Sequence, residues 1–170
     1  MFFVLVRHAH AGDKHVWTDR DELRPLSVRG SLQAAFGVAP FLVDTGVTRL
    51  LSSPALRCVK TLRPAAESLG LGVETADELA VSGSVDRLLR LLEDPASDGA
   101  ALCTHGETLT ALSAAWSERG SLTVDPEGSR VGLAGTPKGA VWVVEGHPGG
   151  AVLARFVPTH RPAFAATGGR

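Results

Sequence analysis

Three short segments of this chain concentrate arginine and histidine, and each directly follows an apolar run. They are Val6-Arg7-His8-Ala9-His10, Ser52-Ser53-Pro54-Ala55-Leu56-Arg57 and Cys103-Thr104-His105-Gly106-Glu107. Singly, each is a weak signal. A histidine after a strand is commonly a surface or capping residue, and an arginine in a helix is commonly a solvated one. Together they offer Arg7, His8, Arg57 and His105, two guanidiniums and two imidazoles. Guanidinium forks match phosphate oxygens with paired, charge-assisted hydrogen bonds. They also neutralise a phosphoryl group as it transfers. An imidazole has a free pKa of about 6.5, so it is a usable nucleophile near neutral pH and can form a covalent intermediate. The set predicts a phosphate-handling site.

Those residues meet only if the elements before them lie side by side. Phe2 to Val6 is a continuous apolar run and reads as a buried strand. Arg7 to Leu26 reads as a loop. Ser27 is placed to cap a helix from Val28 to about Asp44, with apolar positions Val28, Leu32, Ala35, Phe36, Leu42 and Val43 and a kink at Pro40. Val47 to Leu51 reads as a second strand. Ser53 and Pro54 then open a helix whose stripe is Leu56, Val59, Leu62, Ala66 and Leu69; Pro64 makes it irregular and Gly70 stops it. Val73 to Thr75 and Ala100 to Thr104 read as strands, and Val85 to Leu92 as a helix. Glu107 to about Glu118 reads as a helix with Leu109, Leu112 and Trp116 inward. Gly120 to Gly139 looks loose, and Ala140 to Glu145 with Ala151 to Val157 as a hairpin.

This alternation predicts an α/β fold, a three-layer sandwich with a mostly parallel central sheet flanked by helices. In such sheets ligands bind beyond the carboxyl ends of the strands, so the three segments can converge. We expect one domain over residues 1–162 and a flexible tail over 163–170.

Composition narrows the function classes. The 170 residues are 44% hydrophobic and 21% charged, with a net charge of -1. That balance gives no electrostatic footprint for nucleic acid or an anionic membrane. Cys58 and Cys103 read as reduced, buried thiols rather than a disulfide framework. No segment has the length and flanks of a signal peptide or a membrane span, so a cytoplasmic protein is expected. The six histidines form no metal-binding pattern, so no metal and no cofactor are expected. The expected partner is a phosphorylated substrate, either a phosphoprotein or a small phosphate compound. The oligomeric state is not predicted.

The motifs resemble those of the histidine phosphatase superfamily, also called phosphoglycerate mutase-like. That family opens with a strand and Arg-His-Gly or Arg-His-Ala, as in Leu5-Val6-Arg7-His8-Ala9. It continues with Ser-Ser-Pro, a short gap, then Arg and Thr, as in Ser52-Ser53-Pro54 with Arg57 and Thr61. It ends on a strand followed by His-Gly, as in Thr104-His105-Gly106. The resemblance implies that His8 is the phosphorylated nucleophile. It implies that Arg7, Arg57 and His105 form the phosphate pocket, with His105 also catalytic, and that no metal is needed. Leu23 to Gly30 is similar to the compact branch, which includes the bacterial phosphohistidine phosphatases of the SixA kind. Thr136 to Trp142 is similar to the phosphatase half of actinobacterial two-domain Nudix hydrolases, although the chain has no room for a Nudix half. It also lacks the length for the substrate-holding insertions of phosphoglycerate mutases, which disfavours mutase activity.

One departure matters. Larger members place a catalytic carboxylate in a Leu-x-Glu pattern, but Leu79-Ala80-Val81 puts valine there. Glu78 is the nearest substitute as a general acid, set against its reading as an exposed loop carboxylate. His10 and His15 lie in the loop over the pocket, where they could touch substrate, and Arg24 and Arg29 flank a helix start, where they could extend the cationic rim; solvent exposure is the simpler account of all four. Trp17, Trp116 and Trp142 read as packing, while His147 and His160 are given no role. The implied function is a metal-independent phosphatase acting through phosphohistidine, with phosphohistidine proteins as substrate. The alternatives are a phosphatase of nucleotide or other phosphoanhydrides, or a catalytically weak phosphate-binding module.

Overall fold

In the computed structural model, which describes residues 1–159, the strands β1 (Phe2–Arg7), β2 (Arg49–Ser52), β3 (Val73–Thr75), β4 (Ala100–Thr104), β5 (Leu122–Val124), β6 (Val141–Gly146) and β7 (Val152–Val157) form one sheet. Their order is β3-β2-β4-β1-β6-β7-β5. β1, β4, β2 and β3 run parallel to one another, as does β5 beside β7, while β6 is antiparallel to both β1 and β7. The helices are α1 (Val28–Gln33), α2 (Ala39–Thr45), α3 (Leu56–Leu69), α4 (Val85–Glu93), α5 (Gly106–Glu118) and α6 (Pro126–Val131).

The central strands have apolar side chains on both faces, as strands covered by helices on each side require. Successive side chains point to opposite faces, so β1 feeds two cores. Phe3 and Leu5 join Leu102, Leu109, Leu112 and Trp142 on one face, and Val4 and Val6 join Leu42, Leu50 and Leu62 on the other. This is the expected three-layer α/β architecture. Among the described residues no helix is long and apolar enough to cross a membrane. The boundary at 162, the stretch 163–170 and His160 lie outside the described residues.

Three local expectations change. Ser27 does cap α1, accepting from the Gly30 N–H at 3.1 Å. The helix nevertheless buries Gly30, Gln33, Ala34, Val38, Ala39 and Leu42, and leaves Val28, Leu32, Phe36 and Val43 exposed. Gly30 decides the orientation, because it lies so close to the chain at His10 that a Cβ there would come within 1.8 Å of the His10 carbonyl oxygen. A wide π-helical turn at Ala34–Val38 then leads into α2. It accommodates Pro40, which has no N–H for the ladder.

In the second case, α3 begins at Leu56 with Ala55 at its cap, so Ser53 and Pro54 precede it. Its buried face is Arg57, Cys58, Thr61, Leu62, Ala65 and Ala66, rotated from the expected stripe. In the third, the passage from Gly120 to Gly139 is structured. It holds β5, α6 and a short 3-10 turn at Leu133–Gly135, with Asp125 capping α6 through the Gly128 N–H at 2.9 Å.

Candidate active site

β2, β4 and β1 are adjacent and parallel, with Ser52 opposite Cys103 and Arg7 opposite Thr104. The chain therefore steps off one sheet edge at Ser53, His105 and His8 together. Backbone bonds fix these exits: the His8 N–H donates to Thr104 O at 3.0 Å and the Ser53 N–H to Cys103 O at 2.9 Å. Arg57 arrives on the first turn of α3. Arg7, His8, Arg57 and His105 line one cleft of about 520 Å³. His8, Arg57 and His105 are only 5%, 4% and 2% exposed.

His8 donates its Nδ1–H to the carbonyl of Ala9 at 2.8 Å. That contact selects the tautomer with a bare Nε2, the atom that can attack. Burial pushes the His8 pKa down to about 3 against the raising effect of the Ala9 carbonyl, and the charges of His105, Arg57 and Arg7 push the same way as burial. The ring is therefore neutral at ordinary pH. Thr61 braces this turn, accepting the Ala9 N–H at 3.0 Å and donating to Arg57 O at 2.7 Å.

The two guanidiniums are anchored at their ends. Arg7 Nη1 donates to Thr136 O. Arg57 Nη1 donates to Asp21 O at 2.6 Å, and Nη2 to Asp21 Oδ2 at 2.7 Å and His105 Nδ1 at 3.3 Å. Arg7 Nε and Arg57 Nε are buried without a hydrogen-bond partner. Buried donors without partners are costly, and an arriving anion can satisfy them. The His105 ring lies edge-on to His8, 5.3 Å away between centroids. Its Nε2 is 2.8 Å from Ser53 Oγ. Since Arg57 only donates, Nδ1 accepts, and Nε2–H donates to Ser53. Both nitrogens of His105 are thus engaged within the protein, and its expected contact with phosphate requires Arg57 Nη2 to turn away and the ring hydrogen to sit on Nδ1, with Ser53 then donating to Nε2.

A model of the histidine phosphatase superfamily (branch 1) matches residues 3–80, the segment that contains Arg7, His8 and Arg57. The protein histidine phosphatase SixA, in a structure with tungstate, is 21% identical over 93% of this chain and 95% of its own, with a TM-score of 0.67. A phosphohistidine phosphatase SixA so described from Nakamurella multipartitia is 26% identical over 84% of this chain and 83% of its own, with a TM-score of 0.60. The mycobacterial glucosyl-3-phosphoglycerate phosphatase is 16% identical over 92% of this chain and 97% of its own, with a TM-score of 0.65.

Residues 3–80 thus carry the sequence signature of the histidine phosphatase superfamily. The fold matches that of SixA along nearly the whole of both chains.

The rest of the cleft departs from the sequence reading. Arg24 is buried rather than solvated. Its Nε donates to Asp21 Oδ1 at 2.9 Å and its Nη1 to Ala11 O at 2.8 Å. Asp21 and Lys138, which the sequence reading did not single out, both line the cleft. Burial pushes the Asp21 carboxyl up, but the hydrogen bonds and charges of Arg24 and Arg57 outweigh it and hold the pKa below its usual value. Burial and then the charges of Arg7, Arg24 and Arg57 lower the pKa of Lys138. A signal for Lys138 existed: β6 runs antiparallel beside β1, with Val141 opposite Val6, so the turn before β6 reaches the same edge.

The structure does not bring Glu78 into this cleft. Glu78 sits in the turn Asp77–Leu79 and pairs with Arg87 at 2.7 Å. Its own backbone N–H and Arg87 outweigh burial and hold its carboxyl below the usual range, the wrong direction for an acid. Val81 does line the cleft, 51% exposed, as does Glu107. His15 is exposed at the rim, whereas His10 is half-buried with Nδ1 2.7 Å from Ser27 Oγ. Trp116 and Trp142 pack in the core, but Trp17 is exposed, its indole N–H donating to Arg20 O. Among the described residues no group of three or more histidine, cysteine or acidic side chains is placed to hold a metal ion.

Proposed function

We propose that this phosphatase works through a covalent phosphohistidine on His8 and that its substrates are phosphohistidine proteins. One observation carries the mechanism: a neutral imidazole with a bare Nε2 lies beside two buried, partnerless guanidinium N–H groups, on Arg7 and Arg57. In this reading the Nε2 lone pair attacks phosphorus. The bond to the leaving group breaks, and its electron pair departs with that group. Water then attacks the phosphoryl group, and the P–N electron pair returns to Nε2. Arg7 and Arg57 stabilise the charge on the transferring oxygens, so the reading needs no metal. Once Arg57 has turned toward the phosphoryl group, His105 joins them as its other tautomer, Nδ1–H donating to phosphate while Nε2 accepts from the Ser53 hydroxyl.

The substrate class follows from the leaving group. An alkoxide needs a proton from a placed acid. The cleft has Val81 in the family's acid position, and Glu78 faces Arg87. Phosphohistidine brings an imidazole that can be protonated before cleavage. Phosphoanhydrides are the second reading, favoured by the added cations Arg24 and Lys138.

Labelled substrate should leave a phosphoenzyme that is stable in alkali and labile in acid. His8→Ala should lose both label and turnover, and EDTA should change neither in the native enzyme. Full activity in His8→Ala would refute the mechanism.

A further inference from the structure

Asp21 puts a carboxylate where a phosphate pocket has least use for one. Its backbone oxygen and its Oδ2 take Nη1 and Nη2 of Arg57, and its Oδ1 takes Nε of Arg24. Both arginines are more than nine-tenths buried, yet the Asp21 side chain is 54% exposed. It borders both the cleft around His8 and an adjoining space of about 320 Å³ along Ser53, Pro54, Ala55 and Val81. Asp21 is therefore the outer cover on a buried guanidinium. Two oxygens on the two terminal nitrogens is also how a phosphate engages an arginine fork.

Such a residue either fixes Arg57 or competes with phosphate for it. Two features favour competition. Asp21 begins a 3-10 turn, Asp21–Leu23, in which no residue is buried, so it can move aside without disturbing the sheet. Arg24 would keep hold of it, being anchored separately to Ala11 O. A carboxylate left in place beside a phosphate dianion would repel it at close range.

We propose that Asp21 is a competitor of phosphate for Arg57, filling the terminal nitrogens of the empty site and giving way to the phosphoryl group. This rests on reading the cleft as a phosphoryl pocket. The competition weakens the hold on any ligand that binds by phosphate oxygens alone. Free phosphate, the product, is such a ligand and leaves readily. A phosphoprotein has further surface with which to offset the displacement of Asp21. Asp21 thus lowers both affinities by the same factor, which speeds release of free phosphate, while a phosphoprotein keeps useful affinity through its other contacts.

Calorimetric titration with orthophosphate tests this without turnover. Asp21→Asn keeps the shape and an accepting oxygen but removes the charge. It should bind orthophosphate about tenfold more tightly than the native enzyme, a gain of the size expected for one nearby charge. Asp21→Ser should shift binding the same way. Asp13→Asn changes a carboxylate of the same cleft that bonds neither arginine, and its effect should be much smaller. A fixing role predicts the reverse, with a loosened Arg57 and weaker binding. Equal or weaker binding in both Asp21 variants overturns the proposal, as does a gain in Asp13→Asn matching that of Asp21→Asn. Orthophosphate binding that survives joint replacement of Arg7 and Arg57 by alanine would instead overturn the pocket reading, and the proposal with it.

Discussion

His8 and Ala9 are adjacent in sequence, and the carbonyl of Ala9 takes the Nδ1 proton of His8 at 2.8 Å. The contact aims Nε2 into the cleft in its unprotonated form. Burial keeps it so, with a pKa lowered to about 3. Between pH 5 and 8, protonation of His8 should not limit kcat/KM. An acid limb near pH 6.5 that vanishes with His8 chemistry would contradict the assignment.

The same burial gives a stability signature. Unfolded, His8 takes a proton below about pH 6.5; folded, it resists until about pH 3. The unfolded state therefore binds more protons between these values, and stability falls as pH drops through that window. The loss contributed by His8 should approach about 2.5 kcal/mol by pH 4.5. Urea melts of native and His8→Gln protein should show the native enzyme losing more stability between pH 7 and pH 4.5. Parallel pH profiles would mean that the imidazole is hydrated in solution.

Two glycines make opposite predictions. A Cβ on Gly106 would lie 2.9 Å from both Cζ and Nη2 of Arg7, the movable end of that side chain. Gly106→Ala should fold normally but push the guanidinium off the phosphate position, lowering kcat about 10²-fold or more. A Cβ on Gly30 would lie 1.8 Å from the His10 carbonyl oxygen, which cannot move alone. Gly30→Ala should lower Tm sharply. Unchanged kcat in Gly106→Ala would show that Arg7 does not act where we place it.

Ser53 offers a test of His105. Removing the hydroxyl leaves a buried Nε2–H without its acceptor, at a cost of about 1–3 kcal/mol. It also frees the ring to turn. Ser53→Ala should lose stability of that order together with a several-fold drop in kcat, read by thermal melts and steady-state rates. Loss of stability with native kcat would confine the pair to a structural role.

Why some of this was legible in sequence and some not follows from geometry. β1 and β4 are sheathed on both faces, so their apolar runs announce them; Ala100–Thr104 is found to the residue. The quartet was legible because a parallel sheet brings its strand ends to one edge whatever the separation in sequence. Periodicity found the helix after Ser27 but named the wrong face. Apolar spacing does not record that Gly30 must meet the chain at His10, nor that a π turn intervenes. Ser53 looked like a cap because its type fits one, yet its oxygen serves His105. Asp21 had no signal at all, since a carboxylate in a polar loop is unremarkable until Arg57 and Arg24 are seen to close on it.

Val81 carries the last prediction. It stands half exposed on the cleft wall, bordering both the space around His8 and the smaller space beside Arg57 and His105. In the proposed mechanism, a leaving group expelled from phosphorus as it bonds to His8 would emerge into this region. Valine at that position supplies no proton. Alkyl monoesters, whose alkoxides need one, should turn over slowly; aryl phosphates should be intermediate, and phosphohistidine peptides and anhydrides fast. Val81→Glu puts a carboxyl group on the same wall with room to accommodate it. If protonation is the missing element, the variant should raise kcat/KM for alkyl phosphates by about 10- to 100-fold, within the usual worth of general acid catalysis. Phosphohistidine turnover should change little, because that leaving group carries its own proton. The measurement is kcat/KM across the four substrate classes for native and variant enzyme. Native activity on alkyl esters equal to that on phosphoramidates would show that another group supplies the acid. Glu107, which already lines the cleft, would be the first to replace, by Glu107→Gln.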